Sequence, residues 1–167
     1  MMDVNGTFTL TASIYTLGVS NITTTETSGT TNNDGNLCEG EDVTLQAFLT
    51  DPNVPGPDYS WDGPNGYTNT GNHINIDPVD LNHTGTYTVT VTDDNGCTFS
   101  SSTTLTINAL PVFTIEDTET SGAANDDETV CVGDPFTLTA NFTVGAGSTY
   151  AWNLPDGSSS TTHPLSI

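Results

Sequence analysis

The sequence predicts an all-β protein made of tandem antiparallel β-sandwiches whose terminal units are incomplete. Three observations carry this expectation: apolar and polar side chains alternate with a period of two, a long block of sequence repeats in register, and no segment shows the period of about 3.6 residues that marks an amphipathic helix.

The alternation sets out the strands in order. Val43, Leu45, Ala47 and Leu49 mark one strand, Tyr59 and Trp61 a second, and Ile74 and Ile76 a third. Tyr87, Val89 and Val91 mark a fourth; Asp93-Asp94-Asn95-Gly96 then has the composition of a hairpin turn, and Phe99 to Ile107 returns as the last strand. The residues between the apolar positions are mostly Thr. Branching at Cβ favours the extended chain, so Thr suits a strand position that faces water.

The repeat is the most specific signal. Glu26-Thr27-Ser28-Gly29 returns 93 residues later as Glu119-Thr120-Ser121-Gly122, and Cys38-Glu39-Gly40-Glu41-Asp42-Val43-Thr44-Leu45 returns at the same offset as Cys131-Val132-Gly133-Asp134-Pro135-Phe136-Thr137-Leu138. Tyr59-Ser60-Trp61 returns as Tyr150-Ala151-Trp152, now offset by 91 after a two-residue loop deletion. A period of this length fits one sandwich of about 100 residues. It predicts the end of a preceding unit over residues 1–19, a complete unit over 20–111 and the start of a further unit over 112–167. That last unit lacks counterparts of Tyr87, Val89 and Val91, so the apolar positions Phe136, Leu138 and Trp152 are expected to need a strand from elsewhere.

Composition narrows the function classes. The 167 residues hold 21 acidic side chains and no Lys or Arg, a formal charge of -21, and 33% are hydrophobic. A chain without cations cannot neutralise phosphate, which makes nucleic acid and anionic membrane surfaces poor partners on electrostatic grounds. No stretch approaches the roughly 18 apolar residues of a membrane span, and Met1-Met2-Asp3-Val4-Asn5-Gly6 has neither the basic nor the apolar region of a signal peptide. Any export signal or anchor is expected outside this sequence. Expected partners are neighbouring repeats or other copies of the chain, polysaccharide, other surface proteins or divalent cations.

Together, Cys-x-Gly-x-x-x-x-Leu from Cys38, Tyr59-Ser60-Trp61-Asp62-Gly63-Pro64-Asn65-Gly66, and Thr84-Gly85-Thr86-Tyr87-Thr88-Val89-Thr90-Val91-Thr92-Asp93-Asp94-Asn95-Gly96-Cys97 resemble the Ig-like and PKD-like tandem repeats of very large Bacteroidetes surface proteins, such as gliding-motility adhesins. The resemblance covers about 145 residues. It implies type IX export and a place outside the cell, at its surface. It also implies an Ig plan of cysteine, core tryptophan, corner tyrosine and cysteine, hence core roles for Trp61, Tyr87 and Trp152 and a disulfide between Cys38 and Cys97. Cys131 matches Cys38 by repeat position, so its partner is expected beyond Ile167.

Two groups of side chains invite a metal reading. Glu116, Asp117 and Glu119, with Asp126 and Asp127 further on, are the candidate calcium ligands, because calcium takes six to eight oxygens and loops rich in Asp and Asn can supply them. The competing reading is that Asp, Asn and Gly serve tight turns. His73, Asp77, Asp80 and His83 would form a transition-metal site only if one turn folded both histidines onto one spot. No nucleophile elbow, catalytic carboxylate pair or phosphate-cradling glycine loop occurs, which points away from an enzyme. The expected role is a stalk or spacer segment of an extracellular repetitive adhesin or surface filament. The rivals are a filament subunit assembled by donor-strand exchange, with Thr7 to Tyr15 as the free strand, and a non-catalytic carbohydrate-binding accessory domain of a secreted enzyme.

Overall fold

The computed structural model describes residues 14–27, 31–119, 129–144 and 149–166, and the chain divides into two compact units, Met1–Asn108 and Ala109–Ile167. In the first unit, β1 (Val19–Thr25), β3 (Val43–Leu49) and β6 (His73–Ile76) form one antiparallel sheet in the order β1-β3-β6. The second sheet runs β2-β8-β7-β4-β5, from β2 (Asn36–Cys38), β8 (Thr98–Asn108), β7 (Gly85–Thr92), β4 (Asp58–Asp62) and β5 (Thr68–Thr70). All its pairings are antiparallel except β2 with β8, which is parallel.

Period-two alternation puts one set of side chains from each sheet into the space between them. Val43 and Leu45 of β3, Trp61 of β4, Tyr87, Val89 and Val91 of β7 and Leu105 of β8 are wholly buried there, with Ile74, Ile76 and Ile107 nearly so. Each such burial stabilises by about 1.5–3 kcal/mol. The opposite face of the larger sheet carries hydroxyls, paired across strands as Thr86 with Thr104 and Thr90 with Ser100. At the hairpin tip, Asp93 accepts the backbone N–H of Asn95 and of Cys97 through Oδ1, both at 2.8 Å, and Gly96 supplies the positive φ of 80° that the turn requires. Tyr15 donates its hydroxyl to the other carboxylate oxygen of Asp93 and so holds the entering chain against this hairpin.

The second unit repeats five strands of this construction. β9 (Val112–Glu119), β10 (Phe136–Val144), β11 (Trp152–Asn153), β12 (Ser159–Ser160) and β13 (Leu165–Ser166) stand at the repeat counterparts of β1, β3, β4, β5 and β6. Register is kept as well as position: Ile115 opposes Ala140 as Ile22 opposes Ala47, Leu138 opposes Leu165 as Leu45 opposes Ile74, and Trp152 opposes Ser160 as Trp61 opposes Asn69. Counterparts of β7 and β8 are not among the described residues. The segment matching β2, residues 129–131, is not a strand. The architecture is all-β, and the two-sheet topology of the first unit, with its buried tryptophan on β4 and tyrosine on β7, is an Ig-like sandwich.

Candidate functional site

Trp61 lies at 0% exposure between the sheets, and its indole N–H donates to the carbonyl of Gly71 at 2.9 Å. Tyr87 enters from the adjacent strand and donates its hydroxyl to the carbonyl of His83 at 3.1 Å, while its ring meets Tyr67 edge-on at 5.5 Å. This is the tyrosine corner of an Ig-like sandwich. Burial pushes the Tyr87 phenol up to about 12, with Tyr67 and Asp80 adding to the shift. Gly63 makes room for the ring: a Cβ there would stand 2.7 Å from Tyr87 Cε1.

The expected disulfide does not form. Cys38 and Cys97 are free thiols, and the register explains why. Cys38 on β2 pairs with Asn108 at the end of β8, whereas Cys97 precedes its first residue. Eleven strand residues separate those ends, about 35 Å of extended chain, against an upper limit of roughly 7 Å between bridged Cα atoms. The Ig plan places its second cysteine two residues after the corner tyrosine. That position is Val89, buried beside Trp61, so apolar packing fills the space a disulfide would occupy.

The candidate ligands are not gathered into one site among the described residues. Alternation turns Glu116 to the opposite face of β9 from Asp117 and Glu119, so the three carboxylates of this strand do not converge; Asp126 and Asp127 lie outside the described residues. Glu26, the repeat counterpart of Glu119, is buried and accepts the backbone N–H of Asp34 at 2.9 Å. Asp80 caps the short 3-10 turn Leu81–His83: it accepts from Asn82 N–H at 2.8 Å, and its own N–H donates to His83 Nδ1 at 2.9 Å. His73 sits exposed on β6 beside Asn72. Among the described residues, no three His, Cys, Asp or Glu side chains are grouped to hold a metal.

The largest departure from a closed sandwich is in the second unit. Trp152 repeats the hydrogen bond of Trp61, donating to the carbonyl of Thr162 at 3.0 Å, yet it is only half-buried. Phe136 and Leu138 are half-buried where Val43 and Leu45 are wholly covered. Phe113 and Ile115 are 50% and 57% exposed. With Ala140, Phe142, Tyr150 and Trp152 they line an open groove of about 290 Å³. Aromatic contacts continue along it, Phe113 to Phe142 at 5.5 Å, Phe142 to Tyr150 at 5.3 Å, and Tyr150 stacked on His163 at 3.9 Å. On the same face of β9, the Oδ2 of Asp117 is buried and has no hydrogen-bond partner among the described residues. The sequence singled out Phe136, Leu138 and Trp152; Phe113, Ile115, Phe142 and Tyr150 were legible only through the repeat, as counterparts of Ser20, Ile22, Leu49 and Tyr59.

No family model matches the chain, and no curated protein matches it. Among solved structures, murine CEACAM1b is similar at 18% identity and a TM-score of 0.45, over 78% of this chain and 71% of that one. A complex of Dpr2 Ig1-Ig2 with DIP-Theta Ig1-Ig3 is similar at 18% identity and 0.39, over 83% and 52%. The N-terminal four Ig domains of Dscam1 are similar at 18% and 0.38, over 90% of this chain and 39% of that one. Among the described residues, no helix is long and apolar enough to cross a membrane.

Proposed function

We propose that the chain is a spacer segment of an extracellular, repetitive surface adhesin, in which sandwiches in series hold a binding tip away from the cell and bear tension. The observation that carries this reading is the parallel pairing of β2 with β8, which links the entering part of the first unit to its last strand. Asn36 opposes Thr106, Leu37 opposes Ile107 and Cys38 opposes Asn108. The contact is extended by Thr106 N–H donating to Gly35 at 2.8 Å, Glu39 N–H donating to Asn108 at 2.9 Å, and the Asn108 side chain donating to the Leu37 carbonyl at 3.2 Å.

Pulling the two ends of such a unit apart loads these bonds in shear, so they must break together instead of one after another. A surface of hydroxyls and carboxylates with no cation also disfavours collapse of one unit on another, because like charges repel. Single-molecule stretching of the chain tests the reading. A resisted unfolding event should release about 30 nm, the length of the roughly 90 residues from Val19 to Asn108. Leu37→Pro removes an N–H at the clamp and should lower the unfolding force. An unfolding force indifferent to Leu37→Pro, or no resisted event, would contradict a tension-bearing role.

A further inference from the structure

We propose that the open face of the second unit is an acceptor for a β-hairpin with this repeat's own last-two-strand sequence, the kind of segment seen at Gly85–Asn108. The proposal does not depend on the spacer reading, since it rests on what covers the same face in the first unit. There β7 pairs along β4 from Asp58 to Asp62, and β7 and β8 together bring Tyr87, Val89, Val91, Leu105 and Ile107 down onto β3 and β1. In the second unit the receiving strands are already in the same register, while β11 pairs with β12 along one edge and with no described strand along the other. A strand edge and an apolar groove side by side are what a hairpin with alternating apolar side chains fits: backbone bonds give affinity and the groove fixes the register.

Two further details favour this occupant. Between Gly85 and Asn108 the only charged residues are Asp93 and Asp94, both at the turn, so strands of this pattern add no carboxylate to a face on a strongly acidic chain. The orphaned Oδ2 of Asp117 stands at the counterpart of Thr24 on β1, the strand that packs against β8. By alternation β8 turns Ser101 and Thr103 to the same face as Leu105 and Ile107, so a strand of this type brings hydroxyl donors to that side of the sheet. One position differs. Leu154 stands where Gly63 leaves space for the Tyr87 ring, so the hairpin's tyrosine seats with less strain when Leu154 is replaced by Gly.

The test extends the full chain after Ile167 with a second copy of Asp77–Asn108, which keeps the repeat offset, in the natural background and with L154G. Amide hydrogen exchange should show protection of β10 and of Trp152 rising by at least about 100-fold, with β3 and β7 of the first unit unchanged. The same extension carrying Val→Asp at the copies of Val89 and Val91 should give no such gain. Unchanged exchange in β10 with both extensions overturns the proposal. So does a result in which a synthetic peptide of Asp3–Thr16, standing for a strand from a second copy, protects β10 while the hairpin does not.

Discussion

Trp61 and Trp152 make the same hydrogen bond, indole N–H to a carbonyl ten residues ahead, yet only Trp61 is wholly buried. The local turn that creates the bond is encoded within each repeat: Gly63 N–H donates to the Tyr67 carbonyl at 2.8 Å, and Leu154 N–H donates to the Ser158 carbonyl at 2.9 Å. Burial is not local. It depends on β7, whose Val89 lies opposite Trp61.

The two units should therefore respond differently to the same truncation. Leu45→Ala leaves a cavity between two sheets and should cost about 2–5 kcal/mol in a denaturant melt of the first unit. Leu138→Ala, at the matching position on an open face, should cost less than about half of that, read from exchange of the β10 amides.

Removing cysteines should matter little. Without an intrachain bridge, Cys38→Ser and Cys97→Ser should each shift stability by no more than about 0.5 kcal/mol. Mass spectrometry of the unreduced chain after alkylation should find both residues modified and no Cys38–Cys97 linkage.

Glu26 should be costly to lose. Its buried carboxylate ties the segment around Asp34 to the end of β1, and Glu26→Ala leaves the Asp34 N–H without that acceptor, an expected loss of about 1–3 kcal/mol. Glu26→Gln keeps an acceptor oxygen and should recover part of it; chemical denaturation of the three proteins measures the difference.

Stability should follow an asymmetric pH profile. The hydrogen bond from Tyr15, with those of the turn, holds the Asp93 carboxyl below its ordinary value, so this contribution is present above about pH 4 and is lost as pH falls through the folded-state value. Tyr87, held neutral up to about 12 by burial, acts at the other end. The unfolded phenol ionises from about pH 10 and the folded one does not, so stability is full below about pH 10 and declines above it. Between those limits 21 carboxylates without a Lys or Arg repel one another, so protonation towards about pH 5 should hold or raise the melting temperature. Sodium chloride should raise it too, because screening over roughly 8 Å at about 0.15 M weakens repulsion with few attractive pairs to lose. Thermal melts across pH and salt check each sign.

Much of the fold was legible because alternation and repeat are properties of neighbouring residues. Val43 to Leu49, the Asp93–Gly96 turn and the long returning strand to Ile107 follow from period and turn chemistry alone, whereas the core roles of Trp61 and Tyr87 were implied by the resemblance to the Ig plan. Asn36–Cys38 was not legible as a strand: it is three residues long and exists through parallel pairing with β8, 70 positions away. Thr68–Thr70 was hidden for another reason, since all three of its residues are exposed and show no alternation. The cysteine pairing failed because order along a chain does not give height along a strand. Cys97 comes after the turn, at the end of β8 remote from Cys38.

Limited proteolysis of the native chain most directly tests the central claim, that the first unit is a closed sandwich and the second an open one. Trypsin has no site in a chain without Lys or Arg, so a protease that cuts after aromatic residues is the probe. Early cleavage should fall at Phe113, Phe142, Tyr150 and Trp152, leaving a resistant fragment that retains β1 to β8. Cleavage at Trp61 and Tyr87 at rates equal to those at Trp152 and Tyr150 would contradict the claim.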